Sequence, residues 1–550
     1  MSFAANLCSD GELSDMTMIS RRSLLATPAL LTALGPSLAE AQAAQPLRIA
    51  MSIGDVPRLW GGPEAGFEGV RFGSYFVYDA LALWDLSKAD APSGLMPGLA
   101  TSWRVDEADR RRWIIELRQG VKFHDGTPFD ADAAIWNFDS ILNNQVPQFE
   151  PTRSALVRGR ITSIGSYEKL GSHRIAITTR AIDASLPFQL AFIWFASPTH
   201  WQALGGDWQR FALNPSGTGP YKVTNVTPRQ RADLEANRDY WDPNRIPKAP
   251  RTVLLPIPDG SARVAALRSG QIDLVESLPP DTIPSLRAAR FQVVQNAYPH
   301  IWAWRLNVTE GSPFADLRVR QAANLAIDRD GIVALLSGAA LAARGKVTPD
   351  DPWFGNPSFR LRHDPAEARR LMTEAGYSAT RRCALNVIMP VSGGGQMVPQ
   401  PMNEAMQAGL KECFFDVTFQ PVDFATSINM LRAGARDASS RGGHALNIAI
   451  PSMEPNTGWF IYDGELGPPR GINWGLHNSP AVNAQLAVVR NAFDPAEQTR
   501  AMARLHEILI DEASLLAVVH DLNPRALSAR CRGFVQARNW FQDYTQIAVS

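Results

Sequence analysis

The chain has 550 residues, of which 45% are hydrophobic and 20% are charged, so it is an ordinary folded protein with room for more than one core. Its 54 basic and 54 acidic side chains give a formal net charge of zero. This balance argues against a protein that binds nucleic acid or an anionic membrane, because such proteins carry an excess of basic residues.

Residues 1–43 have the pattern of a cleaved export signal. Arg21 and Arg22 precede an apolar run over 24–38, and the segment ends in small residues at Ala43. The apolar run is too short to span a bilayer. The arginine pair favours the twin-arginine export route, while the general secretory route and the position of the true start codon stay open. We therefore expect a periplasmic protein that is soluble after cleavage.

The first elements after the signal predict a mixture of strands and helices. Gln45–Ser52 has the composition of a strand, and Gly73–Asp85 is typical of a helix that enters a short strand. Trp113–Arg118 is rich in residues that favour strands, and His124–Pro128 has turn chemistry. Asp130 then starts a helix as its N-cap, because its carboxylate can accept from the free N–H groups of the first turn.

The pattern continues with a glycine and proline turn at Gly217–Pro220, which leads into a strand at Tyr221–Glu235. Arg251–Ile257 predicts another strand and Ser261–Ser269 a helix. The strand Trp302–Asn307 then begins a second part of the chain, in which predicted helices and strands alternate.

In this second part, Arg318–Ser337 and Pro365–Ala375 have helical spacing of apolar residues. The strands Leu385–Met389 and Val417–Pro421 are separated by a helix around Asn403–Lys411. A strand, helix and strand in this order predict parallel pairing and a second α/β unit.

The last predicted elements are a helix at Pro495–Ala513 and a strand at Leu515–His520, which returns towards the first part. We interpret the chain as two α/β lobes joined by crossings near residues 300 and 520. Two lobes with short crossings suit hinge closure over a ligand.

The sequence carries no recognisable catalytic or metal-binding motif. It has no G-x-S-x-G, H-E-x-x-H, Walker A or C-x-x-C pattern, and no two of its nine histidines are spaced i, i+4. The pair His124 and Asp125 is interpreted as a turn contact. We therefore predict neither an enzyme nor a bound metal or cofactor.

Six separated blocks resemble, in the same order, the family 5 extracytoplasmic solute-binding proteins of ABC importers. That family includes dipeptide, oligopeptide and nickel-chelate binding proteins. The blocks are Trp113–Phe138, Gly217–Trp241, Arg263–Val275, Leu317–Arg329, Asp364–Tyr377 and Asn478–Pro524. The resemblance implies an α/β fold of the two-lobe, type II periplasmic-binding-protein kind, with an extra subdomain in the first lobe and a hinged cleft between the lobes.

The resemblance also implies domain limits. Lobe I is expected at 44–300 with an inserted subdomain at about 75–214, lobe II at 301–519, and a return to lobe I at 520–550. The implied function is capture of a small peptide-like or other organic solute and its delivery to a membrane permease with its ATPase, by a monomer. An exported hydrolase, or a sensory or chaperone-like receptor on the same fold, are the alternatives.

The resemblance places ligand contacts on the strand that crosses between the lobes. Trp302 and Trp304 lie on one face of that strand and Arg305 on the other, since strand side chains alternate. We favour the tryptophan face as a ligand contact. By contrast, other tryptophans on element faces, including Trp103 and Trp113, are interpreted as core.

Further candidate ligand residues follow strands and bends in the second lobe. Gly394 and Gln396 lie in a glycine loop where a ligand could approach the backbone closely. Trp459, Tyr462 and Trp474 follow a bend or lie near it. For each of these residues, ordinary packing or a plain surface loop is the competing interpretation.

The cysteine pattern allows one disulfide. Cys8 is expected to leave with the signal, which leaves Cys383, Cys413 and Cys531. The first two stand near the starts of the two predicted parallel strands, and neighbouring strands lie about 5 Å apart. This separation and the oxidising periplasm permit a Cys383–Cys413 bond; three free thiols are the alternative.

One departure from the family bears on the ligand. Peptide-binding relatives place a W-x-x-D-like segment in the second lobe, whose Asp pairs with the free amine of the ligand. Here Ile448 takes the Trp position and Pro451 the Asp position, with Glu454 three residues further on. Because a buried ammonium without a partner is costly, we expect a modified peptide, an amino-acid conjugate or another organic solute, held by aromatic stacking and neutral hydrogen bonds.

Overall fold

The computed structural model describes residues 45–62, 66–392 and 394–550. The residues that follow Ala43 form one compact unit. The predicted export signal and Cys8 therefore lie outside the described residues. None of the helices in the described ranges is long and apolar enough to cross a membrane.

The described residues fold into an α/β protein. In chain order the strands are β1 (Leu47–Met51), β2 (Ala82–Trp84), β3 (Leu95–Pro97), β4 (Ala100–Val105), β5 (Arg112–Leu117), β6 (Ile164–Gly171), β7 (Arg174–Thr179), β8 (Tyr221–Thr227), β9 (Arg231–Ala236), β10 (Arg251–Pro256), β11 (Leu274–Val275), β12 (Gln292–Val294), β13 (His300–Leu306), β14 (Ala340–Ala342), β15 (Cys383–Pro390), β16 (Phe415–Val422), β17 (Ala445–Asn447), β18 (Ile450–Pro451), β19 (Leu515–Asp521), β20 (Arg525–Leu527), β21 (Cys531–Arg532) and β22 (Ala548–Val549).

The α-helices occupy the connections between these strands. They are α1 (Gly66–Val70), α2 (Ala131–Leu142), α3 (Pro151–Arg158), α4 (Leu186–Leu190), α5 (Pro198–Ala203), α6 (Trp208–Leu213), α7 (Gly260–Arg268), α8 (Ile283–Ala288), α9 (Leu317–Leu325), α10 (Arg329–Leu335), α11 (Pro365–Glu374), α12 (Pro399–Glu412), α13 (Phe424–Ala433), α14 (Pro455–Gly458), α15 (Pro480–Asn491) and α16 (Pro495–Asp511).

One lobe is built on a sheet with the strand order β12-β20-β11-β1-β10-β9-β8. Its central strand β1 is parallel to both neighbours, β10 and β11, and the remaining pairs are antiparallel. Leu47, Ile49 and Met51 of β1 pack into one hydrophobic cluster and Ala50 into another. The sheet is therefore covered on both faces, as expected for a sheet with a parallel centre.

The second lobe is built on a sheet with the order β14-β19-β13-β17-β15-β16, in which β18 also pairs with β13. β15 runs parallel to β16 along its whole length, with α12 as the crossover between them. The predicted strand-helix-strand unit is thus confirmed. Along β13, Trp302, Trp304 and Leu306 pack into one cluster and Ile301 and Ala303 into the other, so this sheet is also buried on both faces.

The described chain passes between the two sheets at two places. It leaves the first sheet between β12 and β13, at 295–299, and returns between β19 and β20, at 522–524. The four-stranded antiparallel sheet β4-β5-β7-β6 and helices α2 to α6 are inserted between β1 and β8. Its helix α2 begins as predicted, because the carboxylate of Asp130 accepts from the backbone N–H of Ala133 at 3.0 Å.

The first two sequence blocks meet at a pair of glycines. A Cβ on Gly217 would lie 2.1 Å from the carbonyl oxygen of Val77. A Cβ on Gly219 would lie 2.6 Å from the carbonyl carbon of Val77. His124 donates its backbone N–H to the carbonyl of Gly217 at 2.8 Å, and its ring Nε2 lies 2.9 Å from the carbonyl oxygen of Gly219. Burial lowers the pKa of His124 to about 4. The neutral ring is a structural donor, as the turn interpretation requires.

Two predicted helices differ from the structure. Within Gly73–Asp85, predicted as a helix that enters a short strand, the strand is β2, but the helix already ends at Tyr75. The carbonyls of Phe76 and Val77 accept from the backbone N–H groups of Tyr221 and Gly219 and therefore do not continue the helix. The helix expected at Arg318–Ser337 is two helices, α9 and α10. The side chain of Asp328 caps the second one by accepting from the N–H of Gly331 at 2.9 Å, and a capping residue marks a new start.

Candidate ligand-binding site

A cavity of about 560 Å³ lies between the two lobes, a size within the usual range for small-ligand pockets. Its wall comes from the inserted subdomain, from the first chain passage, from His520 of β19, from Arg538 and from loops of the second lobe. The main lining segments are 92–95, 103–105, 297–299, 347–353, 452–453 and 493–499. Another cavity, of about 570 Å³, is lined by second-lobe residues of β15, β16 and the 441–444 turn alone. The first is therefore the candidate site.

Six aromatic side chains, contributed by both lobes and by the first chain passage, line the cavity. They are Trp103, Trp113, Phe188, Tyr298, Trp353 and Phe493. The ring centroids of Trp113 and Phe493 lie 5.6 Å apart, and those of Phe188 and Trp353 lie 6.5 Å apart. Each of these pairs joins the inserted subdomain to the second lobe. A cavity lined by several aromatic rings suits a ligand with an apolar or planar body.

Further contacts hold the lobes together around the cavity. The backbone N–H of Ala184 donates to the carbonyl of Arg490 at 2.8 Å, and the hydroxyl of Ser185 donates to the side-chain oxygen of Asn456 at 3.0 Å. Arg538 forms an ion pair with Asp350 across the cleft. The structure is therefore a closed conformation, in which a ligand would be enclosed.

Besides Tyr298, the ionisable residues that line the cavity are Arg104, Asp351, His520 and Arg538. Burial raises the pKa of Asp351, although its carboxylate accepts from the backbone N–H of Trp353 at 2.8 Å. Burial, and then the nearby ring of His300, lowers the pKa of His520 to about 3. The imidazole of His520 is therefore neutral at neutral pH, and the cavity contains both charged and neutral polar groups.

A buried ionic network supports the wall at the chain passages. Glu276 accepts from Arg71 at 2.7 Å and from Arg525 at 2.9 Å, and all three side chains are almost fully buried. Burial alone would raise the pKa of Glu276, but the two guanidinium groups outweigh it and lower the pKa to about 2. Arg71 also donates to the hydroxyl of Tyr298 at 2.7 Å. The network thereby fixes a cavity residue that lies directly before the crossing strand.

The structure places Trp302 and Trp304 away from the cavity. Both are at most 1% exposed and pack into the second-lobe cluster on the helix-covered face of β13. Their alternation with Arg305 is as predicted, but the tryptophan face is covered by core helices. Strand alternation determines which side chains share a face, and the packing of other elements decides what that face meets.

The other aromatic candidates are also core residues. Trp459 and Tyr462 belong to the cluster on the opposite face of β13, and Trp474 belongs to a small separate cluster. Trp459 donates its indole N–H to the carbonyl of Ser452 at 3.2 Å, and its ring lies 5.7 Å from that of Trp353. Trp459 therefore backs the cavity wall without lining it.

The glycine loop packs onto the second-lobe sheet. Gly394 accepts from the backbone N–H of Ala449 at 2.9 Å. Gln396 is buried and donates to the side-chain oxygen of Asn447 at 2.6 Å. These bonds hold the loop against the sheet, and neither Gly394 nor Gln396 is among the residues that line the cavity.

The predicted disulfide between Cys383 and Cys413 is absent, and both are buried free thiols, as is Cys531. The two strands are parallel neighbours as expected, but their register sets Cys383 opposite Phe415. Cys413 ends α12, and its thiol donates to the carbonyl of Pro365 at 3.7 Å. The thiol of Cys413 therefore points away from β15.

The segment that would hold an amine-binding acid is occupied by internal contacts. Lys346 donates from Nζ to the carbonyl of Pro451 at 2.6 Å and lies 3.9 Å from the ring centroid of Trp459. Glu454 is 2% exposed. Neither Pro451 nor Glu454 lines the cavity, whereas 452–453 between them does. This segment therefore offers no carboxylate to a ligand.

Most of the residues that line the cavity were not recognisable from the local sequence. Trp103 and Trp113 have the pattern of core residues, and a cavity wall has the same apolar composition as a core. Trp353 had a usable signal, since it follows a proline-containing bend like those before Trp459 and Tyr462. The assignment of Phe493 to the wall depends on tertiary packing alone.

Comparison with known proteins agrees with the family that the six sequence blocks resemble. A family model described as "Bacterial extracellular solute-binding proteins, family 5 Middle" matches residues 94–453. Heme-binding protein A of Haemophilus influenzae is 25% identical over 512 residues, which cover 88% of this chain and 90% of that protein. The dipeptide-binding protein of Pseudomonas aeruginosa is 26% identical over 493 residues, which cover 86% and 91%.

Solved structures resemble the fold along most of its length. NikA from Brucella suis, in complex with Fe(III)-EDTA, superposes with a TM-score of 0.76 at 21% identity, covering 92% of this chain and all of that one. A two-lobe fold shared at this low identity confirms the predicted architecture. The likeness does not identify the ligand, which depends on the residues that line the cavity.

Proposed function

This chain belongs to the family 5 bacterial extracellular solute-binding proteins, and from that premise we propose that its inter-lobe cavity captures the solute of an ABC importer. The observation that carries the proposal is the aromatic wall contributed by both lobes, which contact each other around the cavity. A pocket built in this way exists only when the lobes are closed. Ligand binding and closure are therefore coupled.

The two chain passages, 295–299 and 522–524, act as the hinge of this movement. Lobe I then comprises 44–300 with its inserted subdomain at 75–214, lobe II comprises 301–519, and 520–550 returns to lobe I. Both passages lie beside cavity residues, Tyr298 and His520. A small rotation at the hinge would therefore separate the two aromatic walls.

The ligand is a small organic solute without a free ammonium group: a modified peptide, an amino-acid conjugate or a related compound. The volume of about 560 Å³ supports a ligand of this size. The absence of Pro451 and Glu454 from the wall supports the lack of an amine site in the 451–454 segment. Asp351 does line the cavity, but burial raises its pKa, which disfavours the charged carboxylate that an ammonium group needs. The dipeptide- and heme-binding relatives show how far ligands differ at this level of identity.

The closed protein would deliver its solute to a membrane permease and ATPase, as a monomer in the periplasm after cleavage of the export signal near Ala43. No hydrolase activity is proposed, because the cavity wall offers no nucleophile beside a base: the neutral ring of His520 lines it, but Ser93 and Thr348 form no hydrogen bond to that ring.

The proposal is tested by extracting bound small molecules from protein purified from the periplasm and identifying them by mass spectrometry. The wild type is expected to yield a stoichiometric solute, and Trp353→Ala much less, because it removes one aromatic wall. Trp136→Ala is the matched control, since Trp136 packs on Trp201 and Trp208 in the inserted subdomain. Equal yields from both variants would contradict the assignment of the cavity.

A further inference from the structure

Polar side chains that do not line the cavity join the inserted subdomain to the second lobe at two places. One place is the pair of Ser185 and Asn456, and the other is the contact of Arg110 with the end of α15. These residues lie outside the two chain passages at 295–299 and 522–524. The contacts therefore break when the lobes rotate apart at the hinge, and they form again when the lobes close.

The pair of Ser185 and Asn456 is buried between the lobes. The hydroxyl of Ser185 lies 3.0 Å from the side-chain oxygen of Asn456. Each partner is held within its own lobe, because Asp183 accepts from the backbone N–H of Ser185 at 2.9 Å and Glu454 accepts from that of Asn456 at 2.7 Å. Two partners that are already fixed can meet with little further loss of conformational freedom.

The C-terminal end of α15 accepts hydrogen bonds from the inserted subdomain. The last carbonyls of a helix have no partner within the helix and carry partial negative charge. Here the carbonyl of Arg490 accepts from the backbone N–H of Ala184 at 2.8 Å, and that of Asn491 accepts from the guanidinium of Arg110 at 3.1 Å. The guanidinium of Arg110 also lies 4.6 Å from the ring centroid of Phe493. The cation thus complements the negative end of the helix dipole.

The side chains of Arg110, Ser185 and Asn456 stabilise the closed form whether or not a solute is present, because none of them lines the cavity. A ligand shifts an equilibrium between open and closed forms that exists before it binds. Its apparent affinity rises with the fraction of empty molecules that are already closed. Residues that never touch the solute can therefore set its affinity.

We propose that Arg110, Ser185 and Asn456 form a latch, which holds a fraction of the solute-free molecules closed and thereby raises the affinity of the cavity for its solute. This inference rests on the proposed function and adds a means of tuning it. The three residues are positioning residues, since they act through the closure of the lobes and not through contact with the solute.

The test measures the open and closed populations in protein that has been freed of solute by unfolding and refolding. Spin labels are attached at Gln202→Cys in the inserted subdomain and at Lys411→Cys in the second lobe, because both positions are exposed. The cysteines of the described residues are buried and so are poor targets for the label. Pulsed electron paramagnetic resonance then gives the distances between the labels. The wild type is expected to show a population at the distance of the closed structure beside an open population.

The variants Asn456→Ala and Arg110→Ala each remove one side chain of the latch. Asn456→Ala is expected to lower the ratio of closed to open molecules about fivefold, the effect of losing about one hydrogen bond. Arg110→Ala is expected to lower it about twofold, because Arg110 is exposed and water competes for its contacts. Circular dichroism verifies that each variant is folded. Since Arg110 lies on the surface, its variant provides the test even where Asn456→Ala does not fold.

Each variant has a matched control. Asn403→Ala removes another buried amide of the second lobe, whose partners lie in that lobe alone. Arg111→Ala removes an exposed arginine from the same loop as Arg110, which pairs with Asp109 of that loop. Both controls are expected to leave the ratio of closed to open molecules unchanged.

The inference is overturned if Asn456→Ala and Arg110→Ala keep the ratio of the wild type, or if the controls lower it as much. It is also overturned if the solute-free wild type shows the open population alone. Because no solute is used, the result is independent of solute capture. A latch that behaves as expected in a protein from which no solute can be extracted would contradict the proposed function and leave the latch intact.

Discussion

The stability of the cavity depends on Glu276, whose replacement gives a testable magnitude. Lowering its pKa from 4.5 to about 2 means that folding stabilises the ionised carboxylate. At about 1.4 kcal/mol for each pKa unit, the network contributes roughly 3 kcal/mol to the free energy of unfolding. Removing one member of a buried charge group costs about 3–5 kcal/mol in general. Both estimates lead us to expect that Glu276→Gln destabilises the protein by about 3 kcal/mol at pH 7.

The lowered pKa of Glu276 also predicts how its contribution to the free energy of unfolding changes with pH. Because the folded pKa lies below the unfolded one, the stabilisation is complete above about pH 4.5 and is lost as the pH falls towards 2. The difference between wild type and Glu276→Gln, measured by urea unfolding, should therefore shrink on acidification. Glu68→Gln is the control, since burial and the charge of Glu276 raise the pKa of Glu68. We expect it to cost less than about 1 kcal/mol.

Equal destabilisation by the two substitutions, or a difference for Glu276→Gln that stays constant down to pH 3, would refute this reasoning. Either result would mean that the carboxylate of Glu276 gains nothing from its two guanidinium partners. The position of Tyr298 in the cavity wall would then need another support.

Three further outcomes are expected. Thiol titration in denaturant should count three free thiols in the chain that follows residue 43; one thiol would indicate a Cys383–Cys413 bond. Intact-mass measurement of the exported protein should show cleavage near Ala43, and a mature chain that retains 24–38 would contradict the export signal. Calorimetry with unmodified di- and tripeptides should show weak or no binding, because no carboxylate of the 451–454 segment lines the cavity. Micromolar affinity that N-acetylation abolishes would contradict the proposed ligand class.

The sequence predicted the parts of the fold that depend on local patterns. The cap at Asp130 and the parallel strands of the 383–422 unit follow from turn chemistry and from the period of apolar residues. The split at Asp328 was missed, because the apolar spacing continues across it. A capping acid inside a periodic stretch is a stronger signal than the period itself.

The candidate site was much less predictable. Trp302 and Trp304 share a face as expected, but no pattern in the strand states that helices cover it. The pair Trp113 and Phe493 forms where the inserted subdomain meets the second lobe, and neither flanking sequence distinguishes a wall from a core. A cavity depends on how separate segments pack, whereas local patterns determine the segments.

Closure of the lobes over a solute is the central claim, and small-angle X-ray scattering tests it most directly. The protein is freed of bound solute by unfolding and refolding, and is then supplied with the solute extracted from the native preparation. The account predicts a smaller radius of gyration at saturation, because Trp353 and Phe493 of the second lobe separate from Phe188 and Trp113 of the inserted subdomain without ligand and meet them with it. An unchanged radius at saturation, with binding verified by calorimetry, would contradict it.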